Sequence, residues 1–117
     1  MKKLVPVLIV LIAGCPSDQP TDQSATEIKN LVARSIVIDV RTAQEFNDGH
    51  IDGAVNIPYD EIGGRITEVT NDKHQSIVLY CRSGRRSGIA LDTLKAMGYT
   101  QLENAGGYTT LKQKLAQ

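Results

Sequence analysis

The sequence predicts an α/β fold in which a parallel sheet carries helices on both faces. Three observations lead there. Ile36-Val37-Ile38-Asp39-Val40 is a β-branched run without polar alternation, the pattern of a strand buried on both sides. Ile77-Val78-Leu79-Tyr80 is a second apolar run of strand length. Segments with helical spacing separate and follow these runs, and such a βαβα alternation implies crossovers and parallel pairing.

Each element has a local cause. Ser24-Ala25-Thr26-Glu27 is a capping box, and Ile28, Leu31 and Val32 follow at the spacing of one helix face. Thr42-Ala43-Gln44-Glu45 is a second capping box, so a short helix runs to about Asp48 and stops at Gly49, which gives Glu45 a sufficient structural role. Ala54-Val55-Asn56-Ile57 reads as a strand, and Pro58 opens a helix from Tyr59 to about Val69. Gly63 and Gly64 sit inside it at about 1 kcal/mol each relative to alanine, which predicts a kink or a break into two turns. Thr70 to Gln75 is a polar turn in which His74 is solvated. After residue 81, Ala90, Leu91, Leu94 and Met97 share one apolar face and Gly98 ends the helix. Tyr99 to Asn104 reads as the last strand, Ala105-Gly106-Gly107 as a tight loop, and Leu111 with Leu115 as the inner face of a terminal helix.

With 117 residues, 41% hydrophobic, one Phe and no Trp, the chain has material for one small aliphatic core, placed at residues 24–117. Without Lys2 and Lys3 the balance is eleven basic to thirteen acidic side chains, which speaks against nucleic acid and against a polybasic membrane surface. Lys2 and Lys3 precede the apolar run Leu4 to Ala13, so residues 1–14 read as a signal peptide and the protein as exported. The run is too short to cross a bilayer, for which about 20 residues are needed. Ile12-Ala13-Gly14-Cys15 resembles a lipoprotein cleavage motif, making Cys15 a lipid anchor in the cell envelope, facing the periplasm; ordinary cleavage leaving a free Cys15 is the alternative. Residues 15–23 form a polar tether reaching at most about 25–30 Å.

The chemistry concentrates in Cys81-Arg82-Ser83-Gly84-Arg85-Arg86-Ser87. A cysteine at the carboxyl end of a strand, before a loop and a helix N-terminus, meets converging N–H groups that favour the thiolate. Arg82, Arg85 and Arg86 give the loop an electropositive rim suited to an anionic substrate. The alternative is a buried cysteine that merely ends a strand. If Cys15 carries lipid, Cys81 has no partner within the chain, and a thiol exposed in an oxidising compartment is a liability unless its reactivity is used. Asp39 and Arg41 lie at another strand end; they either orient the Cys81 loop or contact substrate, or form an ion pair that anchors the turn. His50 is read as hydrogen-bonding a turn rather than as a base, because a thiolate held by backbone donors needs none. Two histidines and two cysteines occur at no ligand spacing, so neither a metal nor another cofactor is expected.

From about Ile36 to Tyr108 the chain resembles the single-domain rhodanese (thiosulfate sulfurtransferase) family, in particular its small periplasmic phage-shock type. The resemblance is carried by Ile38-Asp39-Val40-Arg41, Glu45-Phe46, Gly49-His50-Ile51-Asp52-Gly53-Ala54-Val55-Asn56-Ile57-Pro58, the C-x4-R loop Cys81 to Arg86, Gly98-Tyr99 and Asn104-Ala105-Gly106-Gly107. It implies a small rhodanese-like domain that moves sulfane sulfur from a small anionic donor to a thiol or cyanide through a Cys81 persulfide. The loop amides from Arg82 to Ser87, with Ser83 and Gly84 among them, would then hold the terminal sulfur, and the arginines would attract the dianion. Two rivals stand beside it. A cysteine phosphatase or arsenate reductase requires a longer C-x5-R loop, whereas here the next position is Ser87; a non-catalytic binding or stress module would be favoured by a missing nucleophile, and Cys81 is present.

Overall fold

The computed structural model describes residues 24–117; the readings of a signal peptide, a tether and a lipid-bearing Cys15 fall outside the described residues. Ten segments follow in order: α1 (Ala25–Ala33), β1 (Ile36–Asp39), α2 (Ala43–Asp48), β2 (Val55–Asn56), α3 (Ile62–Arg65), a 3-10 turn (Ile66–Glu68), β3 (Ile77–Cys81), α4 (Arg85–Ala96), β4 (Leu102–Gly107) and α5 (Tyr108–Leu115). Both capping boxes form, with the Ser24 and Thr42 hydroxyls accepting from the Glu27 and Glu45 amides and each glutamate bonding back to its cap residue.

The four strands are all parallel in the order β2-β1-β3-β4, as an α/β fold requires. Strand alternation divides the core between the faces. Ile38, Ile77, Leu79 and Cys81 pack with Ile62 and Ile66 and with Ala90 and Leu94 of α4; Val37, Val78 and Tyr80 pack with Ile28 of α1 and Leu111 of α5. Burying each such aliphatic side chain stabilises the fold by about 1.5–3 kcal/mol, so the pattern fixes which face β3 turns toward α4. That orientation brings the Cys81 side chain under the start of α4.

Two expectations need correction. The helix expected from Tyr59 begins only at Ile62, because the Pro58 carbonyl closes a turn by accepting from the Glu61 amide, and it passes into a 3-10 turn after Arg65. Gly63 has a packing role: a Cβ there would lie 3.2 Å from Thr93 Cγ2 of α4. The last strand is displaced toward the C-terminus. It covers Leu102–Gly107 instead of Tyr99 to Asn104, and Ala105-Gly106-Gly107 is its end, not a loop. A register shift between Leu79 and Cys81 lets Gly107 pair with Cys81, while Tyr99 turns into the core and donates its hydroxyl to Thr70 O at 3.1 Å.

Candidate active site

Cys81 ends β3 with none of its surface exposed, and it is a free cysteine. The chain reverses over it through Arg82, Ser83 and Gly84, the last at φ +96°, a left-handed conformation that glycine adopts at little cost. Gly84 then serves as N-cap of α4, which points its N-terminus at the sulfur. The Gly84 amide lies 3.0 Å from Sγ and the Ser87 hydroxyl 3.4 Å. Burial alone would raise the thiol's pKa, but the Ser87 hydroxyl and the backbone N–H groups of Ser87, Ser83 and Gly84 outweigh it, leaving the thiol below its ordinary value. Burial and thiolate stabilisation therefore coexist, and the donors are a defined subset of the loop amides.

β4 forms the wall behind the loop. Asn104 Oδ1 accepts from the Ser87 hydroxyl at 2.7 Å and from the Gly106 amide at 2.9 Å, and its Nδ2 donates to Gly84 O at 3.0 Å. Gly107 lies so close to the loop that a Cβ on it would be 2.5 Å from Arg82 O. Sequence reasoning singled out neither residue as part of the site.

The three arginines differ. Arg82 and Arg85 are exposed and form no ion pair among the described residues. Arg86 turns to α2, where its Nη atoms donate to the two Glu45 carboxylate oxygens at 2.9 and 3.1 Å. Glu45 thus does more than cap its helix: it ties α2 to the first turn of α4. Arg86, helped by the Thr42 bonds, holds the Glu45 pKa down at about 2, from about 4.5. A lowered carboxylate stabilises the folded state above its unfolded pKa and loses that contribution as pH falls through the folded one. The full shift converts to about 3 kcal/mol, and solvent screening of a pair whose Arg86 and Glu45 side chains keep 19% and 26% of their surface exposed reduces it to about 1–2 kcal/mol. Glu45→Gln is expected to lose that amount at neutral pH and to show a flatter decline in stability between about pH 4.5 and 2 than the parent. Equal stabilities at pH 7 would refute the assignment.

Asp39 and Arg41 form a buried bidentate pair: Arg41 Nε and Nη2 donate to Asp39 at 2.9 and 2.6 Å, and Nη2 also donates to Gly49 O at 2.7 Å. The Arg41 guanidinium lies 4.5 Å from the Tyr108 ring centroid, and Asp39 raises its pKa. This pair joins the end of β1 to the turn after α2. His50 stacks on Phe46 at 3.7 Å between centroids with Nδ1 2.8 Å from Phe46 O, so its contacts are those of a turn. A cleft of about 210 Å³ beside the thiol loop is lined by Arg41, Glu45, Asp48, Arg82, Tyr108 and Thr109. A larger cavity of about 460 Å³, between α4 and β4, shares no residue with the loop.

The profile of the rhodanese-like domain family matches residues 24–114. The chain belongs to that family. It is 46% identical over 70 residues to the thiosulfate sulfurtransferase PspE of Escherichia coli, covering 60% of this chain and 67% of that protein. Among solved structures, a rhodanese with anions from E. coli superposes with a TM-score of 0.62 at 43% identity, over 64% of this chain and 88% of that one. The human single-domain sulfurtransferase TSTD1 superposes with a TM-score of 0.68 at 27% identity, over 82% and 98%. The rhodanese-like domain thus has relatives named as sulfurtransferases, and its thiol loop stands where β3 meets α4.

Proposed function

We propose that this rhodanese-like domain is a sulfurtransferase that moves sulfane sulfur from thiosulfate, or a similar anionic donor, to a thiophilic acceptor through a Cys81 persulfide. The observation that carries the reading is the Gly84 N–H, 3.0 Å from Sγ at the N-terminus of α4, which favours a thiolate at the strand end. The thiolate attacks the outer sulfur of thiosulfate, the donor's S–S bond breaks, and its electron pair leaves with sulfite. Cyanide or a thiolate then attacks the terminal persulfide sulfur and Cys81 is released as thiolate, a ping-pong cycle that needs no external oxidant or reductant. Because Sγ is fully buried at rest, the Arg82-Ser83 arch must shift for the donor to reach it. Turnover of the mature protein with thiosulfate and cyanide, run beside a phosphate monoester, tests the reading; no sulfur transfer, or turnover of the monoester alone, would overturn it.

In this reading Arg82 and Arg85, which have no ion-pair partner among the described residues, meet the incoming dianion. Arg85→Ala is then expected to raise KM for thiosulfate by roughly tenfold with little change in kcat, the loss of one charge-assisted contact of about 1.5 kcal/mol. Unchanged constants would remove Arg85 from anion recognition. We further propose a lipid-anchored envelope location through Cys15, supported by the basic and apolar start of the sequence and the small residues before that cysteine. Mass spectrometry of the membrane fraction should find a diacylglycerol-modified Cys15; a mature protein with unmodified Cys15 would exclude it.

A further inference from the structure

The hydroxyl of Ser87 has one hydrogen and three acceptors within reach: Asn104 Oδ1 at 2.7 Å, Gly84 O at 3.1 Å and Cys81 Sγ at 3.4 Å. The orientation of the Asn104 amide is fixed by backbone groups that cannot exchange roles. The Gly106 N–H donates to one end, which must be oxygen, and the Gly84 carbonyl accepts from the other, which must be nitrogen. The atom facing Ser87 is therefore an acceptor only, and at the shortest of the three distances it takes the hydrogen. Ser87 then turns a lone pair toward Cys81, an arrangement that suits a protonated S–H and not a thiolate.

We propose that Asn104 is a positioning residue for the nucleophile: it holds the Ser87 hydroxyl hydrogen while Cys81 is a thiol and yields it to Sγ when the thiolate forms. Ionisation thus exchanges an O–H···O bond for an O–H···S⁻ bond, and Asn104 opposes the thiolate that the loop amides favour. The charged groups around the sulfur are Arg82, Arg85 and Arg86 from its own loop and α4, Glu45 of α2 bound to Arg86, and the Asp39–Arg41 pair at the end of β1; β4 faces the loop with the uncharged Asn104 and Gly107. Asn104 is uncharged and reaches the thiol by two routes of opposite sign, through the Ser87 hydroxyl and through the Gly84 and Gly106 backbone groups that it holds in place.

The inference rests on Cys81 being the reactive group of the proposed sulfurtransferase, but its readout is ionisation, measured as alkylation rate against pH. Asn104→Ala should lower the thiol pKa by about half a unit, roughly a threefold gain in the thiolate-to-thiol ratio, because the hydroxyl no longer has a competing side-chain acceptor. A purely structural Asn104 gives the opposite sign: losing its bonds to Gly84 and Gly106 would loosen the loop, scatter the amides and raise the pKa. In a Ser87→Ala background the lowering should vanish. Asn104→Asp serves if the alanine variant does not fold. Its charge alone would raise the pKa equally with or without the hydroxyl, whereas a stronger acceptor should raise it more when Ser87 is present. A raised or unchanged pKa in Asn104→Ala, or Asn104 effects independent of Ser87, would overturn the proposal. Absent thiosulfate turnover with these shifts intact would count only against the sulfurtransferase reading.

Discussion

Cys81→Ser is expected to reduce sulfur transfer to background and to abolish the adduct of about 32 Da, one sulfur atom, that the parent should gain on mixing with thiosulfate. The substitution keeps the direction of the side chain and replaces sulfur by a somewhat smaller oxygen, so the Gly84 N–H retains an acceptor close to the same place. What changes is the chemistry. A serine hydroxyl does not ionise near neutral pH and forms no persulfide, and none of the loop's electrostatics compensates for that. Thermal unfolding should therefore stay close to that of the parent, within about 1 kcal/mol, which separates chemical loss from unfolding. Residual turnover or a surviving adduct would place the transferred sulfur on another group and end the Cys81 assignment.

The sequence disclosed this site unevenly, and the unevenness follows from the range of the interactions. The capping boxes at Ser24 and Thr42 close within three residues, and the β-branched runs of β1 and β3 declare burial by composition alone, so these elements were legible where they stand. Glu45 was explained too easily: bonds to Thr42 account for its place in the chain and conceal Arg86, a partner 41 residues away. The three arginines look equivalent in a row, and only the packing of α2 against α4 separates the engaged Arg86 from Arg82 and Arg85. Ala105-Gly106-Gly107 carries the composition of a turn, yet pairing with β3 draws it into the sheet. The trace that remained visible was Asn104 with Gly106 and Gly107 just beyond it, a polar residue whose local bond to the Gly106 amide leaves the rest of its side chain unexplained. That trace identifies a site only once β4 is known to run beside the strand that ends in Cys81.

Gly107→Ala is expected to produce the largest loss among substitutions that leave every reacting group in place. The backbone of Gly107 is extended, at φ −94° and ψ 149°, so alanine meets no conformational penalty of its own. The obstacle is space. The new Cβ would lie 2.5 Å from Arg82 O, 3.3 Å from Arg82 C and 3.6 Å from Ser83 Cα, all atoms of the arch and none the movable end of a side chain. The arch must lift, carrying the Ser83 and Gly84 amides off Sγ, and a displacement on the order of 1 Å at a reacting centre costs about 100-fold in rate. kcat/KM should fall by that order and the alkylation pKa of Cys81 should rise, since burial would persist while its opposing donors withdraw. Gly64→Ala provides the control: among the described residues nothing beyond its chain neighbours and its own helix backbone lies within 4 Å of the added Cβ, so activity should hold, and stability should rise by up to about 1 kcal/mol from helix propensity. If Gly107→Ala kept parental kcat/KM and thiol pKa, the close approach of β4 to the loop would not be what aims these amides at the sulfur.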